Sequence, residues 1–449
     1  MADILFVDVW GGVPMYPSLS IGYLSSIAKQ EGFTTKIISP NVIPSFSEEV
    51  FAKILSKEKP KYCAYTLFTT QVFNAYKLIK VSKKHGIINL VGGPHVSSLG
   101  AEEVLKECPE IDYLFLKESE DNFRKFLSGK IKKRIIKMEN FIEDINSLPF
   151  PDRGGYRSKA WVYDSNYIKK PIHILISSRG CPYNCNFCFK ETFGRKYRQR
   201  TAENVLDECE QIKKMGGKEL YFIDDLFAFN KNWTIDFCKK KIKRQINLPF
   251  KCLGRVDRLD KEMLKWMKKA GCHTIAIGVE SGDQKVLDWI TKGITLSQVR
   301  EMVKLIHNEG INVESYFIIG HRIDTLKTIE KTIEFAREIN TDFPRFFLFS
   351  PYPGSRVWNE LPEKFKEKYW VRGIESDLRT SNPISICKLA PEKLVNLWHK
   401  AHDRAYSNPH YLFNVFREFK LNPFKRIWIK KLSNFIGGGV LKLHRFVRH

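Results

Sequence analysis

The stretch SSRGCPYNCNFC, residues 177–188, sets Cys181, Cys185 and Cys188 at CxxxCxxC spacing, with Phe187 just before the third thiol. Thiolates are soft ligands that suit zinc or an iron–sulfur cluster. A structural zinc site is closed by four ligands, and no fourth Cys or His follows at finger spacing. A 4Fe–4S cluster usually takes four cysteines. Three leave one iron without a protein ligand, and an open iron is a place for a small molecule to bind. The next cysteine, Cys209, falls in a helical pattern facing the core. Cys63, Cys108, Cys238, Cys252, Cys272 and Cys387 are scattered and read as small core residues.

Two alternating regions must position this loop. Short apolar runs at 4–9, 35–39, 61–66, 88–93 and 112–116 are separated by helical patterns at 19–31, 47–58, 70–84 and 101–107, with another at 119–128. Strand–helix alternation predicts a parallel sheet covered on both faces, here a flavodoxin-like (Rossmann-type) domain over 1–128. Residues 129–170 are basic, then rich in Pro and Gly, and read as a linker. Alternation resumes over 171–385, with strands expected at 172–178, 218–223, 249–254, 273–278, 313–319 and 343–349. Helical patterns lie between them at about 201–215, 231–245, 260–270, 295–309 and 325–339. Six βα repeats without a seventh predict a partial (β/α)6 TIM-type barrel. Residues 386–449 form a small, helical, strongly basic C-terminal region.

In a barrel of this kind, functional groups sit beyond the carboxyl ends of the strands. Cys181 follows the first strand, Asp224 and Asp225 the second, Arg255 the third, and Glu280 with Ser281 the fourth. GHRIDT (320–325) closes the fifth, and SPYPGS follows the sixth. Each has a plain alternative. The two aspartates complement a helix N-terminus, Arg255 pairs with Asp257, Glu280 forms a surface salt bridge, and PYPGS makes a turn.

The cysteine spacing and these strand-end residues resemble the radical S-adenosylmethionine (SAM) superfamily, in the branch with an N-terminal cobalamin-binding domain. The resemblance covers roughly residues 1–380. It implies a 4Fe–4S cluster on Cys181, Cys185 and Cys188, with SAM chelating the fourth iron and cleaved reductively to a 5′-deoxyadenosyl radical. It implies SAM contacts from Asp224 or Asp225 to the amino group, Arg255 to the carboxylate, and Glu280 with Ser281 to the ribose. The radical forms at the cluster, so no acid–base catalytic pair is expected. The superfamily's frequent GGE is replaced by IDDLF, as is usual in this branch, and its G-x-P-G-E-T string reads GHRIDT here.

In the first domain, LVGGPHVSSLG (90–100) and YTLFTT (65–70) resemble the branch's cobalamin loops. They nominate Thr66, Thr69, Thr70, Gly92, Gly93, Pro94 and His95 as cobalamin-binding. PSLSIGYLSSIA (17–28) resembles the family's first helix, and KESE (117–120) stands where the family has GEGE. No Asp-x-His-x-x-Gly string is present, so cobalamin is expected without a histidine lower ligand.

The net charge is +24, and no nucleic-acid-binding motif accompanies it. The basic tail interleaves Trp428, Ile429, Leu432, Phe435, Ile436 and Leu441 with Lys and Arg. That pattern fits either contact with an anionic membrane surface or a basic helix packed on the barrel. No apolar run approaches the roughly 20 residues of a membrane span. The acidic N-terminal stretch differs from a signal peptide, so the expected location is cytoplasmic, with the inner membrane surface as its peripheral variant.

The expected enzyme is a cobalamin-dependent radical SAM methyltransferase acting on an unactivated carbon of a small-molecule or lipid substrate. A flavodoxin or ferredoxin is the expected electron donor. The alternatives are a radical cyclase, oxygenation or rearrangement enzyme of the same architecture, and a cobalamin- or redox-sensing binding protein. A methylthiotransferase would need three more cysteines in the first domain, which has only Cys63 and Cys108.

Overall fold

The computed structural model describes residues 1–9, 18–39, 43, 46–154, 168–366 and 385–406. The aromatic and basic run of the tail, 421–449, lies outside them. By contact the chain divides into two compact units. The first holds Met1–Leu253, Lys269–Cys272 and a segment beginning at Pro351. The second holds Gly254–Lys268, His273–Ser350 and the described residues from 385 on.

The first unit opens with β1 (Ile4–Val7), α1 (Leu19–Gln30), β2 (Thr35–Ile38), α2 (Glu48–Glu58), β3 (Tyr62–Thr66) and α3 (Val72–Lys84). It continues with β4 (Ile88–Gly92), α4 (Pro94–Leu99), α5 (Ala101–Glu107), β5 (Tyr113–Leu116), α6 (Glu120–Leu127) and β6 (Ile135–Lys137). The six strands are parallel in the order β2-β1-β3-β4-β5-β6. The first five follow the flavodoxin order. Successive strand residues point to opposite faces. Leu5 and Val7 therefore join one buried cluster with Phe51, Val72 and Ile79, while Ile4 and Phe6 join another with Ile21, Ile27 and Phe123. Burial on both faces explains why these strands read as continuous apolar runs.

The segment expected as a linker does more than connect. Ile135–Lys137 adds the sixth strand, pairing with β5. Further on, Ser25 and Lys29 of α1 both donate to Asp152, and Ser26 donates to the Phe150 carbonyl. Gly22 lacks a side chain because a Cβ there would lie 2.9 Å from that of Pro151.

The chain then forms β7 (Ile172–Leu175), the two-residue strands β8 (Ser178–Arg179) and β9 (Arg198–Gln199), α7 (Ala202–Lys214), β10 (Glu219–Phe222), α8 (Lys231–Lys243) and β11 (Phe250–Gly254). Strand β10 pairs in parallel with β7 and with β11. The second unit carries most of α9 (Lys261–Lys269) and of β12 (Cys272–Glu280), then α10 (Gln284–Trp289), α11 (Leu296–Asn308), β13 (Asn312–Ile319), α12 (Leu326–Ile339), β14 (Phe343–Leu348) and, after the short α13 (Arg356–Asn359) of the first unit, α14 (Pro391–Tyr406). Here β13 pairs in parallel with β12 and β14. Thr295 and Thr325 close capping boxes at the starts of α11 and α12, which fixes where those helices begin. Among the described residues no helix is long and apolar enough to cross a membrane.

A buried ion triad ties the linker to this second set of strands. Glu208 of α7 accepts from Arg153 and Arg200, each at 2.6 Å, and all three side chains are at most 4% exposed. Arg153 also donates to the Ile174 carbonyl and Arg200 to that of Ile176, so both guanidiniums are held at the edge of β7. Removing one partner of a buried pair strands the remaining charge, at a cost of about 3–5 kcal/mol. Glu208→Ala is therefore expected to lower unfolding stability by about that amount in denaturant titrations. A loss comparable to an exposed pair, under about 1 kcal/mol, would contradict the triad's role.

Candidate functional site

The three predicted cluster cysteines lie on one excursion of the chain beyond β7. The β8–β9 ladder closes its base, with Ser178 opposite Gln199 and Arg179 opposite Arg198. Within the loop, the Cys181 N–H bonds the Gly194 carbonyl, the Gly194 N–H bonds the Lys190 carbonyl, and the Cys188 N–H bonds the Cys185 carbonyl. Gly180 has φ +87°, and a Cβ there would sit 2.2 Å from the Lys196 carbonyl oxygen. No other residue fits that close return of the loop on itself. The PYPGS segment supports the loop from outside. A Cβ on Gly354 would meet the Phe189 ring at 2.6 Å, and the Val357 N–H bonds the Asn186 carbonyl.

Cys181 and Cys185 are partly exposed and Cys188 is exposed. The other described cysteines, Cys387 apart, are buried, as expected of core residues. The Cys181 thiol is held above its usual range, by burial first; the Tyr183 N–H and Lys190 oppose this, and Asp225 and Cys185 add to it. Burial likewise raises the Cys188 thiol, with Cys185 and Cys181 adding to it. Among the described residues, no three Cys, His, Asp or Glu side chains gather as ligands of a single ion. A cubane places its three protein sulfurs on three different irons, which needs a wider spacing. Three soft thiols on one loop, each at least partly open to solvent, fit that cluster.

Asp224 and Asp225 part company. Asp224 is buried and its Oδ1 accepts from the Ser177 N–H (2.8 Å), the Ser177 hydroxyl (2.6 Å) and the Ser178 hydroxyl (2.6 Å). It therefore positions the lead-in to Cys181. Its Oδ2 is buried without a hydrogen-bond partner among the described residues. Burial pushes the carboxyl up to about 6, against the pull of those bonds. Asp225 is exposed and close enough to Cys181 and Cys188 to perturb both thiols, so it is the better placed of the two for an incoming ligand.

Residues absent from the predicted ligand set anchor the loop. Glu118, from the KESE string, is buried. Its Oε1 accepts from Arg179 at 2.6 Å, and its Oε2 accepts from Arg198 at 2.7 Å and the Ile142 N–H at 3.0 Å. Glu120 takes the other arm of Arg179 at 2.7 Å. The Arg179 guanidinium lies over the rings of Tyr23 and Phe193. Burial disfavours its charge, but Glu120 and Glu118 outweigh that and raise its pKa. KESE as a variant of GEGE was the visible signal. Its arginine partners, some sixty and eighty residues away, were not.

At the carboxyl ends of β1, β3 and β4, the proposed cobalamin residues gather. Thr66 shares a hydrogen bond with Ser20 at 3.3 Å, and Ser20 with Ser18 at 2.7 Å. Thr69 and Thr70 lie in the turn after β3, with Thr70 exposed. Gly93 has φ +109°, and a Cβ there would lie 2.7 Å from the Leu67 carbonyl oxygen. That glycine serves the fold's own close packing. His95 is fully buried after Pro94, with Nδ1 3.1 Å from the Thr69 hydroxyl, and burial lowers its pKa to about 3. The buried ring braces Thr69. Asp8, which sequence reading missed, is buried at the end of β1 and accepts from the Ser18 N–H. Burial raises its pKa to about 6. A ring of hydroxyls at a parallel sheet's carboxyl edge fits a large macrocycle with amide side chains.

In the second unit, Arg255 donates to Asp257 at 2.8 Å and to the Lys292 carbonyl at 2.7 Å. Lys292 in turn donates to Glu280 at 2.6 Å. Glu280 ends β12 with φ +69°, just past a register shift against β13. A Cβ on Gly278 would lie 2.3 Å from a Glu280 carboxylate oxygen, so glycine makes room for the pair. Arg255 and Glu280 are thus joined through Lys292. The Ser281 hydroxyl is buried against Thr332 and receives the Asp283 N–H. Asp324 orders GHRIDT by accepting from the Gly320 and His321 N–H groups. A cavity of about 530 Å³ lined by Tyr197, Gln199, Phe229, Asn230, Lys231 and Asn232 includes none of the predicted ligands.

Two family models match the chain. A model of the Radical SAM superfamily matches residues 175–336, and one of the B12 binding domain matches residues 14–127. The uncharacterized methyltransferase PH0819 of Pyrococcus horikoshii is 30% identical over 363 residues, covering 76% of this chain and 78% of that protein. The anaerobic magnesium-protoporphyrin IX monomethyl ester cyclase of Rubrivivax gelatinosus is 27% identical over 384 residues, covering 79% and 68%. Among solved structures, the radical SAM methyltransferase TsrM of Kitasatospora setae, with cobalamin and a 4Fe-4S cluster bound, matches with TM-score 0.65 at 15% identity, covering 81% of this chain and 78% of that one. OxsB, a cobalamin-dependent SAM radical enzyme, matches with TM-score 0.64 at 20% identity, covering 89% and 61%. At these identities the two structures establish the shared fold.

Asp224 makes a pH prediction. Its folded carboxyl, at about 6, holds its proton more tightly than the ordinary value of 3.8. The native state is therefore favoured below about pH 4, and that advantage is lost as pH rises to about 6. Relative to the wild type, Asp224→Asn should gain about 3 kcal/mol of stability between about pH 4 and about pH 7. Denaturant midpoints of the two proteins that run parallel across that window would contradict the assignment.

Proposed function

The chain belongs to the radical SAM enzymes that carry an N-terminal cobalamin-binding domain, and from that premise we propose that it methylates an unactivated carbon of a small-molecule acceptor. The bound cofactors supply the hard chemistry: a 4Fe–4S cluster and SAM generate a radical, and cobalamin carries the methyl group. The observation that carries the reading is structural. The KESE carboxylates, at the end of β5 in the cobalamin-binding domain, clamp the arginines that flank the cysteine loop. One compact unit therefore holds both the cysteine loop and the hydroxyl-rich sheet edge, which supports the reading.

The residues divide the work as follows. Cys181, Cys185 and Cys188 hold the cluster and leave one iron open. Asp224 fixes the Ser177–Ser178 approach to Cys181, while the exposed Asp225 takes the amino group of SAM. Within the second unit, Arg255 and Glu280 are preorganised through Lys292. Hydroxyls of Ser18, Ser20, Thr66, Thr69 and Thr70 bind cobalamin from the sheet edge, and His95 supports Thr69 from below without ligating cobalt. Electrons come from a small low-potential carrier such as a flavodoxin or ferredoxin.

The test is the partition of SAM products. The chain is reconstituted anaerobically with iron, sulfide and cobalamin, then given SAM, a strong reductant and a panel of acceptors that includes lipids. Formation of both S-adenosylhomocysteine and 5′-deoxyadenosine is expected, the former dependent on cobalamin, with both lost in Cys185→Ala. Deoxyadenosine alone would contradict methyl transfer and favour a cyclase-type reaction, the activity named for the 27% identical Rubrivivax relative.

A further inference from the structure

Lys190 stands two residues beyond Cys188, inside the loop that the β8–β9 ladder closes. Its carbonyl accepts the Gly194 N–H at 2.8 Å, which fixes its backbone. Its Nζ is buried and has no hydrogen-bond partner among the described residues. Its charge nevertheless reaches the Cys181 and Cys188 thiols and Asp225. Neighbouring lysines behave differently. Lys117 pairs with Glu191 and Lys196 with Glu143, all with substantial exposure. An ammonium taken out of water without acceptors is strongly disfavoured unless an anion completes its surroundings. Asp225 offers one carboxylate nearby, and thiolates at Cys181 and Cys188 would add further negative charge around the ammonium.

We infer that Lys190 is the fixed counter-charge of the iron–sulfur cluster and sets its reduction potential; the inference rests on the radical SAM reading above. Cluster assembly turns three thiols into thiolates and releases their protons. One-electron reduction by an external low-potential donor then adds a further negative charge, with no bond made or broken in the protein. A buried cation stabilises the reduced state more than the oxidised one, so it raises the potential. Asp225 acts in the opposite sense, so the lysine's own contribution is read from variants at position 190 that leave Asp225 in place.

The experiment is an EPR-monitored redox titration of the reconstituted full chain without SAM, using dithionite as reductant. Wild type, Lys190→Arg, Lys190→Met and Lys190→Gln are compared, with iron and sulfide content measured on each. The neutral variants should bind iron as the wild type does but reduce at a more negative potential. At the wild-type midpoint their reduced-to-oxidised ratio should fall about tenfold. Lys190→Arg should stay near the wild type. Neutral variants with full clusters and an unmoved midpoint would overturn the inference. If the neutral variants fail to take up iron, Lys190→Arg decides. Retention by arginine supports a charge requirement, and loss in arginine as well overturns it in favour of shape. A wild-type chain that assembles no cluster would instead sink the radical SAM reading itself, and the inference with it.

Discussion

One carboxylate, Glu118, is bonded through both oxygens to arginines on either side of the cysteine loop. The loop between Arg179 and Arg198 has little regular structure of its own, and its tips are partly open to solvent. An irregular segment cannot hold three thiols in fixed relation by backbone bonding alone. The bridge does so by geometry. With side chains of 0–3% exposure, neither arginine can find water, so each must keep its carboxylate. Glu120, Tyr23 and Phe193 close the shell around Arg179. The same device recurs where Glu208 binds Arg153 and Arg200. Buried ion clusters, rather than an apolar seam alone, join the flavodoxin-like sheet to the strands that follow it.

This arrangement gives the first domain two roles. It offers a sheet edge rich in hydroxyls, and it forms part of the wall that shapes the cluster loop. The predicted SAM contacts of the second unit follow a similar rule. Arg255, Lys292 and Glu280 hold one another before any ligand arrives, so a ligand meets oriented groups rather than mobile ones. Preorganisation of this kind lowers the ordering cost of binding.

Much of the fold was legible in the sequence because its signals are local. The predicted strands at 4–9, 61–66 and 313–319 appear as Ile4–Val7, Tyr62–Thr66 and Asn312–Ile319. Apolar periodicity and Ser or Thr caps decide such elements within a few residues. Pro94–Leu99, Gln284–Trp289 and Ile135–Lys137 were too short to show a period. The site was legible in part. The cysteine spacing speaks for itself, whereas a polar residue's role depends on a partner far along the chain. Asp224 and Asp225 are neighbours of identical type, yet one faces Ser177 and the other faces solvent. Glu118 meets Arg179 sixty-one residues along the chain, a pairing that no local pattern marks. Gly93 shows a second demand that the sequence hides, since a Cβ there would meet the Leu67 backbone.

The most direct test of the account is the iron content of Glu118→Gln after anaerobic reconstitution, measured beside hydroxocobalamin binding on the same sample. The neutral amide keeps the size of the side chain but removes the charge shared by Arg179 and Arg198. Wild-type cobalamin uptake, which shows the first domain folded, is expected together with a several-fold loss of iron and of the reduced-cluster EPR signal. Full iron content with an unchanged signal would contradict it, because the cysteine loop would then hold its shape without the bridge.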